Sequence, residues 1–345
     1  WCLRADCCWE PGQGYARPIP MDVKFNAVIC YREQFEKGRS YYPVSAKRFV
    51  REEDMREQWV VSREAACHPR GVGYYAPAAA RAVVHAVERP GSVVAGFSAL
   101  ALYGLPFLME GADTTLLARV AKKTAATATT PALQRIRRGD AAPISATHRG
   151  VAIQVSPPSI AVADALRQIK RREHRWATAS VPGLSDTDVM AIQLIDCVRR
   201  FLGISLVDLQ EAAQGQLNAR WLKKIFPLTS AKADSPMETE LRLLVSVIVA
   251  KYGLQLQEQV VLYDGNRIVT TFDLAIADLK IAVMYDGRHH MDFQQRKKDS
   301  LINITSSLHG WTVVRCFSET RDRCLEVLEL LIVKELRARG LLKPA

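Results

Sequence analysis

At 345 residues, 48% apolar and 24% charged, the chain has the size and balance of a water-soluble protein with two domains or three. No apolar run approaches the ~18 residues of a membrane-spanning helix, and the first twenty residues are rich in Trp, Cys, Gly and Pro without the apolar core of a secretory signal. A membrane partner is therefore excluded and a cytoplasmic location expected. Residues 235–345 carry 15 Lys and Arg against 14 Asp and Glu, so of the formal net charge of +11 all but +1 lies before residue 235. A basic half beside a near-neutral half points to a polyanion as partner, with a merely solvated basic surface as the plain alternative.

Residues 1–20 are expected to be a disordered leader or upstream read-through ahead of a start at Met21. The eight cysteines (Cys2, Cys7, Cys8, Cys30, Cys67, Cys197, Cys316 and Cys324) include no CxxC pair and no zinc-finger spacing. They read as reduced, mostly buried thiols.

From residue 21 to about 110 the pattern predicts short helices with a strand or two. Gly and Pro punctuate a strand-and-turn over 69–77, a helix follows over 78–88 and is stopped by Pro90-Gly91, and a short close-packed helix from Gly96 is capped by Gly104. Residues 111–230 form a basic middle region. Strands with loops are expected over 111–157, with the Ala/Thr tract 124–130 as a surface loop. Helices then run over 160–172 with Ser159 as N-cap, from Ser185 with a capping box at Asp188, and over 206–213 with the same device at Ser205 and Asp208. The cations Arg135, Arg137, Arg138, Lys170, Arg171, Arg172 and Arg175 concentrate here and are the candidate nucleic-acid contacts.

Residues 229–234 read as a linker, and a last domain spans 235–340. Ser235, Pro236 and Glu238 are a helix start with N-cap, first-turn proline and capping-box acid. Leu241, Leu244, Val245, Ile248 and Val249 give that helix an apolar stripe, and Gly253 ends it. Strands are expected over 259–262, 268–276 and 279–285, with a turn at 264–266. A helix over 293–308, a strand over 311–317 and a helix over 320–339 close the chain. Residues two apart in a strand share a face, so Met284 and Asp286 point the same way and Asp273 can meet them from the neighbouring strand. An aspartate between Phe272 and Leu274, in mid-strand, is disfavoured unless it has a task. Glu238 serves either the cap or a site, Asp286 a site or the turn at Gly287, and His290 a phosphate or proton contact or a structural place near a helix start.

The order helix, three strands, helix, strand, helix resembles the restriction-endonuclease-like superfamily with the PD-(D/E)XK site, in its very-short-patch-repair branch. The ordered matches are Ser235, Pro236, Glu238, Leu241, Arg242, Gln259, Asp273, Asp286, Gly287, His290, Asp299, Gly310, Trp311, Val313 and Arg315. More weakly, residues 45–107, through 70–75 and 96–106, are similar to the front part of AbiEi-type antitoxins and regulators. Proteins joining the two parts occur among actinobacteria. The fold class implied is α/β (α+β): a C-terminal mixed sheet flanked by helices, preceded by a mixed, mostly helical, winged-helix-like region. The resemblance implies DNA as partner and a magnesium site built from Asp273, Asp286 and Glu238, with His290 as the further catalytic residue. Met284 stands where the family has Glu, and a thioether is a poor ligand for a hard cation. The expectation is a DNA-binding protein with an impaired nuclease site. The alternatives are an active magnesium-dependent endonuclease, or an antitoxin-like transcriptional regulator whose last domain is a scaffold for a toxin or other protein.

Overall fold

A computed structural model describes residues 21–23, 25–136, 141–286 and 293–342, with the backbone alone for 293–299. The chain is a mixed α/β protein with three sheets among the described residues. It packs as two units, one of residues up to 177 with 201–227, the other of 178–200 with 228–345. The expected leader lies outside the described residues.

The first unit contains strands β1 (Met21–Asp22), β2 (Ile29–Tyr31), β3 (Tyr41–Pro43) and β4 (Arg48–Arg51), helices α1 (Gln58–Cys67) and α2 (Ala78–Glu88), strand β5 (Val93–Val94) and helix α3 (Gly96–Leu102). Strands β6 (Thr115–Ala118), β7 (Ala132–Arg135), β8 (Ile144–His148) and β9 (Val151–Val155) and helix α4 (Pro158–Lys170) follow. Strands β2, β4 and β3 form a small antiparallel sheet, and the rest form a mixed sheet in the order β1-β8-β9-β5-β6-β7. Helix α2 reads Ala-Ala-Ala-Arg-Ala-Val-Val-His-Ala-Val-Glu and buries most of its length. Its Arg81 is tolerated inside because its guanidinium donates to the carbonyls of Ala76, Ala112 and Glu110 and lies 4.0 Å from the Tyr74 ring centroid. Gly96 has φ +56°, and a Cβ there would stand 2.6 Å from Gln168 Oε1, so glycine sets how closely α3 approaches α4.

Three local expectations differ. The front segment, expected as short helices with a strand or two, carries five strands over 21–94, because runs of two to four residues are too short for a period-two pattern to show. The segment 69–77 turns at 69–70 and belongs to no sheet: the Tyr74 and Tyr75 carbonyls accept from Arg56, and the Tyr74 hydroxyl donates to Asp113. Its hydrogen-bonding groups are spent on these partners rather than a ladder. Helix α4 starts at Pro158 with no side-chain cap from Ser159, because a proline at the first position already has helical φ and lacks the N–H a cap would serve.

Helix α5 (Asp186–Leu202) carries the expected box, Ser185 and Asp188 exchanging side-chain-to-backbone bonds. Expected from sequence in the middle region, its residues up to 200 pack with the C-terminal unit. Helices α6 (Leu206–Ala213) and α7 (Ala219–Ile225) belong to the first unit.

The second unit continues with α8 (Pro236–Lys251), β10 (Gln257–Asp264), β11 (Arg267–Ile276), β12 (Ile281–Tyr285), α9 (Phe293–Leu308), β13 (Thr312–Cys316) and α10 (Arg321–Ala338). The sheet order is β10-β11-β12-β13, antiparallel up to β12 and parallel between β12 and β13. The β10–β11 hairpin turns through Gly265-Asn266, with Gly265 at φ +57°. The strand expected from Leu279 starts at Ile281, because residues 277–280 make the turn between β11 and β12 and Lys280 takes φ +51°. On one face Leu274, Ile276, Ile281, Val283, Val314 and Cys316 bury against Leu241, Val245 and Ile248 of α8 and Leu328 and Ile332 of α10. A separate apolar cluster holds Leu262, Phe272 and Ala282 with Met284, Trp311 and Val313.

Candidate functional site

The candidate acids lie in the second unit, each placed by a different element. Glu238 is in the first turn of α8. Its N–H donates to Ser235 Oγ (3.2 Å), and its carboxylate accepts from the Ser235 hydroxyl (3.0 Å) and the Asp234 N–H (2.9 Å). The capping reading of this residue is thus realised, shifted by one residue from the usual box because the carboxylate takes the N–H of residue 234. Burial pushes its carboxyl up to about 7, the Asp234 N–H partly opposes this, and the Asp273 charge adds to it.

Asp273 sits in β11 at the point where the β11–β12 ladder ends, the last registered pair being Leu274 with Val283. In place of the next ladder bond, the Tyr285 N–H donates to Asp273 Oδ2 at 2.6 Å. On the other side Gln259 takes φ +55°, leaves the β10–β11 register and hydrogen-bonds to Asp273. The mid-strand aspartate therefore occupies a local opening of the sheet, where its carboxylate accepts from a backbone N–H in place of a ladder carbonyl. Burial raises its carboxyl to about 6; the Tyr285 and Gln259 bonds pull it down, while the Asp234 and Asp286 charges push it up.

Asp286 follows β12 and donates its N–H to the Cys316 carbonyl at 2.8 Å. Arg315 Nη1 stands 3.0 Å from both oxygens of its carboxylate. Met284, two residues earlier, packs with Phe272 and Trp311 in the apolar cluster. A small pocket lined by Glu238, Arg242, Glu258, Gln259 and Asp273 completes the region.

The structure thus brings Glu238 and Asp273 together beside Asp234, and sets Asp286 near enough for its charge to act on Asp273. Its carboxylate is held by Arg315. Asp234 and Glu258 join the region without having been singled out from sequence; Arg242 joins it as well, offered by the sequence as a family match but not as a site residue. Asp234 could have been found from its place beside the N-cap; nothing in the sequence pairs Glu258 with α8. His290, Gly287 and His289 lie outside the described residues, as does the side chain of Asp299. Of the basic candidates, Arg135 ends β7 and is exposed, and Lys170, Arg171 and Arg172 are exposed at the end of α4. Lys170 Nζ lies 4.7 Å from the Trp221 ring centroid, Arg171 is 4.0 Å from Glu173, and Arg175 is half-buried. Arg137 and Arg138 are outside the described residues.

A magnesium ion needs several oxygens converging in an octahedron. Here both oxygens of Glu238 serve the cap, both of Asp286 face Arg315, and the Asp273 oxygens accept from Tyr285 and Gln259. The side chain at 284 offers sulfur within an apolar cluster. Among the described residues no group of three or more His, Cys, Asp or Glu side chains is arranged to hold a metal ion. The donor set in this arrangement does not fit a hard cation, and no chemical step follows through one. No helix among the described residues is long and apolar enough to cross a membrane. No protein-family model, curated protein or solved structure matches the chain.

The raised carboxyls carry a signed pH dependence. A carboxylic acid whose folded pKa exceeds its unfolded one binds more protons when folded, so its contribution to stability is present below ~4 and lost as pH rises through the folded value. For Glu238 and Asp273 that window runs from the ordinary carboxyl range to about 7 and about 6. The Glu238→Gln/Asp273→Asn double variant is therefore expected to gain thermal stability relative to wild type as pH rises from ~4.5 to ~8. Paired melting curves across that range check it; a constant difference would show that the two acids do not share a desolvated site.

Proposed function

We propose that this is a DNA-binding protein whose C-terminal unit is a restriction-endonuclease-like domain with an impaired metal site. The carrying observation is the state of the acids. Asp273 interrupts a ladder at the opening of the sheet and Glu238 faces the same pocket, which is an arrangement suited to gathering charge at a phosphodiester. Yet Asp286 is neutralised by Arg315 and the remaining position holds Met284. The order helix, three antiparallel strands, helix, parallel strand, helix supports the fold assignment, and the excess of cations before residue 235 supports DNA as the partner. A fold of this kind outlives its chemistry when the ligand set decays.

The test is incubation of the pure protein with duplex, mismatched and single-stranded DNA in magnesium or manganese. Wild type is expected to leave all three intact. Cleavage that appears in Met284→Glu would identify position 284 as the missing ligand. Cleavage by wild type that Asp273→Ala abolishes would replace the impaired reading with that of an active endonuclease.

A further inference from the structure

The five cysteines of the described residues are free, and two of them, Cys316 and Cys324, pack against one apolar core. Cys316 is the last residue of β13 and is fully buried; Cys324 lies in the first turn of α10, partly buried against the same apolar core. The Cys324 thiol donates to the Arg315 carbonyl at 3.1 Å and stands 3.6 Å from Thr320 Oγ1. The Cys316 thiol is within 3.9 Å of the Phe317 carbonyl. Burial and the neighbouring Cys324 thiol hold the Cys316 proton in place up to about 12. By contrast, Cys30 in the first unit donates to the Phe49 carbonyl at 3.5 Å.

We infer that Cys316 and Cys324 are a thiol pair that closes to a disulfide under a peroxide oxidant, stapling the end of β13 to the start of α10. Cys324, the more accessible sulfur, attacks a peroxide oxygen; the O–O bond breaks, water leaves and Cys324 becomes the sulfenic acid. The Cys316 sulfur then attacks the Cys324 sulfur, and the hydroxyl leaves with the Cys316 proton as a second water. Two thiols are oxidised by two electrons and one peroxide is reduced to two waters. The closed loop encloses only residues 317–323, so little further chain entropy is lost on closure. Closure removes the Cys324 donor from the carbonyl of Arg315, the residue that clamps Asp286, and ties that strand end to the helix.

The experiment treats the reduced full-length protein with hydrogen peroxide, alkylates remaining thiols, digests with trypsin and reads the peptides by mass spectrometry. The expected product joins the peptide beginning at Cys316 and ending at Arg321 to that beginning at Cys324 and ending at Lys334, is two hydrogens lighter than the pair, and reverts with dithiothreitol. Cys316→Ala should leave Cys324 as a sulfenic acid that dimedone traps, and Cys324→Ser should leave Cys316 reduced. Because Cys324, the less buried of the two, can be tested alone, a Cys316→Ala protein that fails to fold does not remove the test. Cys324 linked to another cysteine, or still alkylatable when Cys67 has been oxidised, would overturn the inference. None of these outcomes depends on DNA binding or cleavage.

Discussion

Replacing Arg242 by methionine is expected to unfold the second unit well before the wild type, by ~3–5 kcal/mol. The reason is Asp196, on α5, whose side chain is wholly buried. Its carboxylate accepts from Arg242 Nη2 at 2.7 Å, from Thr239 Oγ1 at 3.0 Å and from the Ser230 N–H at 2.7 Å. Burial already lifts its carboxyl to about 6, and the Arg242 charge is the largest effect holding it down. Methionine keeps most of the volume but leaves an uncompensated charge in the interior, or forces it to protonate. The shift in melting temperature should be on the order of 10 °C. The double variant Asp196→Leu/Arg242→Met should recover most of the loss, because it removes both charges together. Arg200→Ala breaks the exposed ion pair with Asp234 and should cost less than ~1 kcal/mol. Denaturant titration of the set decides the matter: if Arg242→Met lies within ~1 kcal/mol of wild type, the buried pair does not organise this unit.

That network also marks where the sequence stops being informative. The elements of the last unit are legible because their signals are local. Ser235, Pro236 and Glu238 start α8, Gly265-Asn266 turns the hairpin, and Gly310 precedes β13, and the observed strands and helices fall close to the expected bounds. The capping boxes at Ser185 and Ser205 are likewise realised. Long-range polar partnerships leave no such trace. Asp196 and Arg242 are 46 residues apart, and although Arg242 matches the family pattern, nothing near either residue pairs the two. Arg81, inside an alanine-rich helix, finds two of its backbone acceptors about 30 residues away. At the site, Asp273 announced itself because an aspartate in mid-strand violates a local preference. Arg315 could be aligned with a family pattern, but its grip on Asp286 depends on the parallel pairing of β12 with β13, which no nearby residue encodes.

DNA affinity is expected to fall steeply with salt, by ~10³-fold or more between about 50 and 200 mM if six or more phosphates are neutralised. Before residue 235 the cations exceed the acids by 10, and counterion release is the means by which such an excess produces affinity without base recognition. Lys170, Arg171 and Arg172 are the sharpest place to probe it. They are exposed and consecutive at the C-terminal end of α4, where cations are also favoured by the helix dipole, so they have a structural reason to be there without DNA. The two roles separate in one experiment. Replacing all three by glutamine, with fluorescence anisotropy on a labelled duplex over a range of salt, should make the slope of log affinity against log salt shallower by about 2.7 if each contacts a phosphate. A dipole role alone would lower the melting temperature slightly and leave the slope intact. Lys170 also rests on the Trp221 ring, so Trp221→Leu should lower stability while changing the salt slope little. Affinity that does not respond to salt in the wild type would remove nucleic acid from consideration altogether, and with it the reading of the C-terminal unit as a nuclease-derived domain kept for its place on DNA.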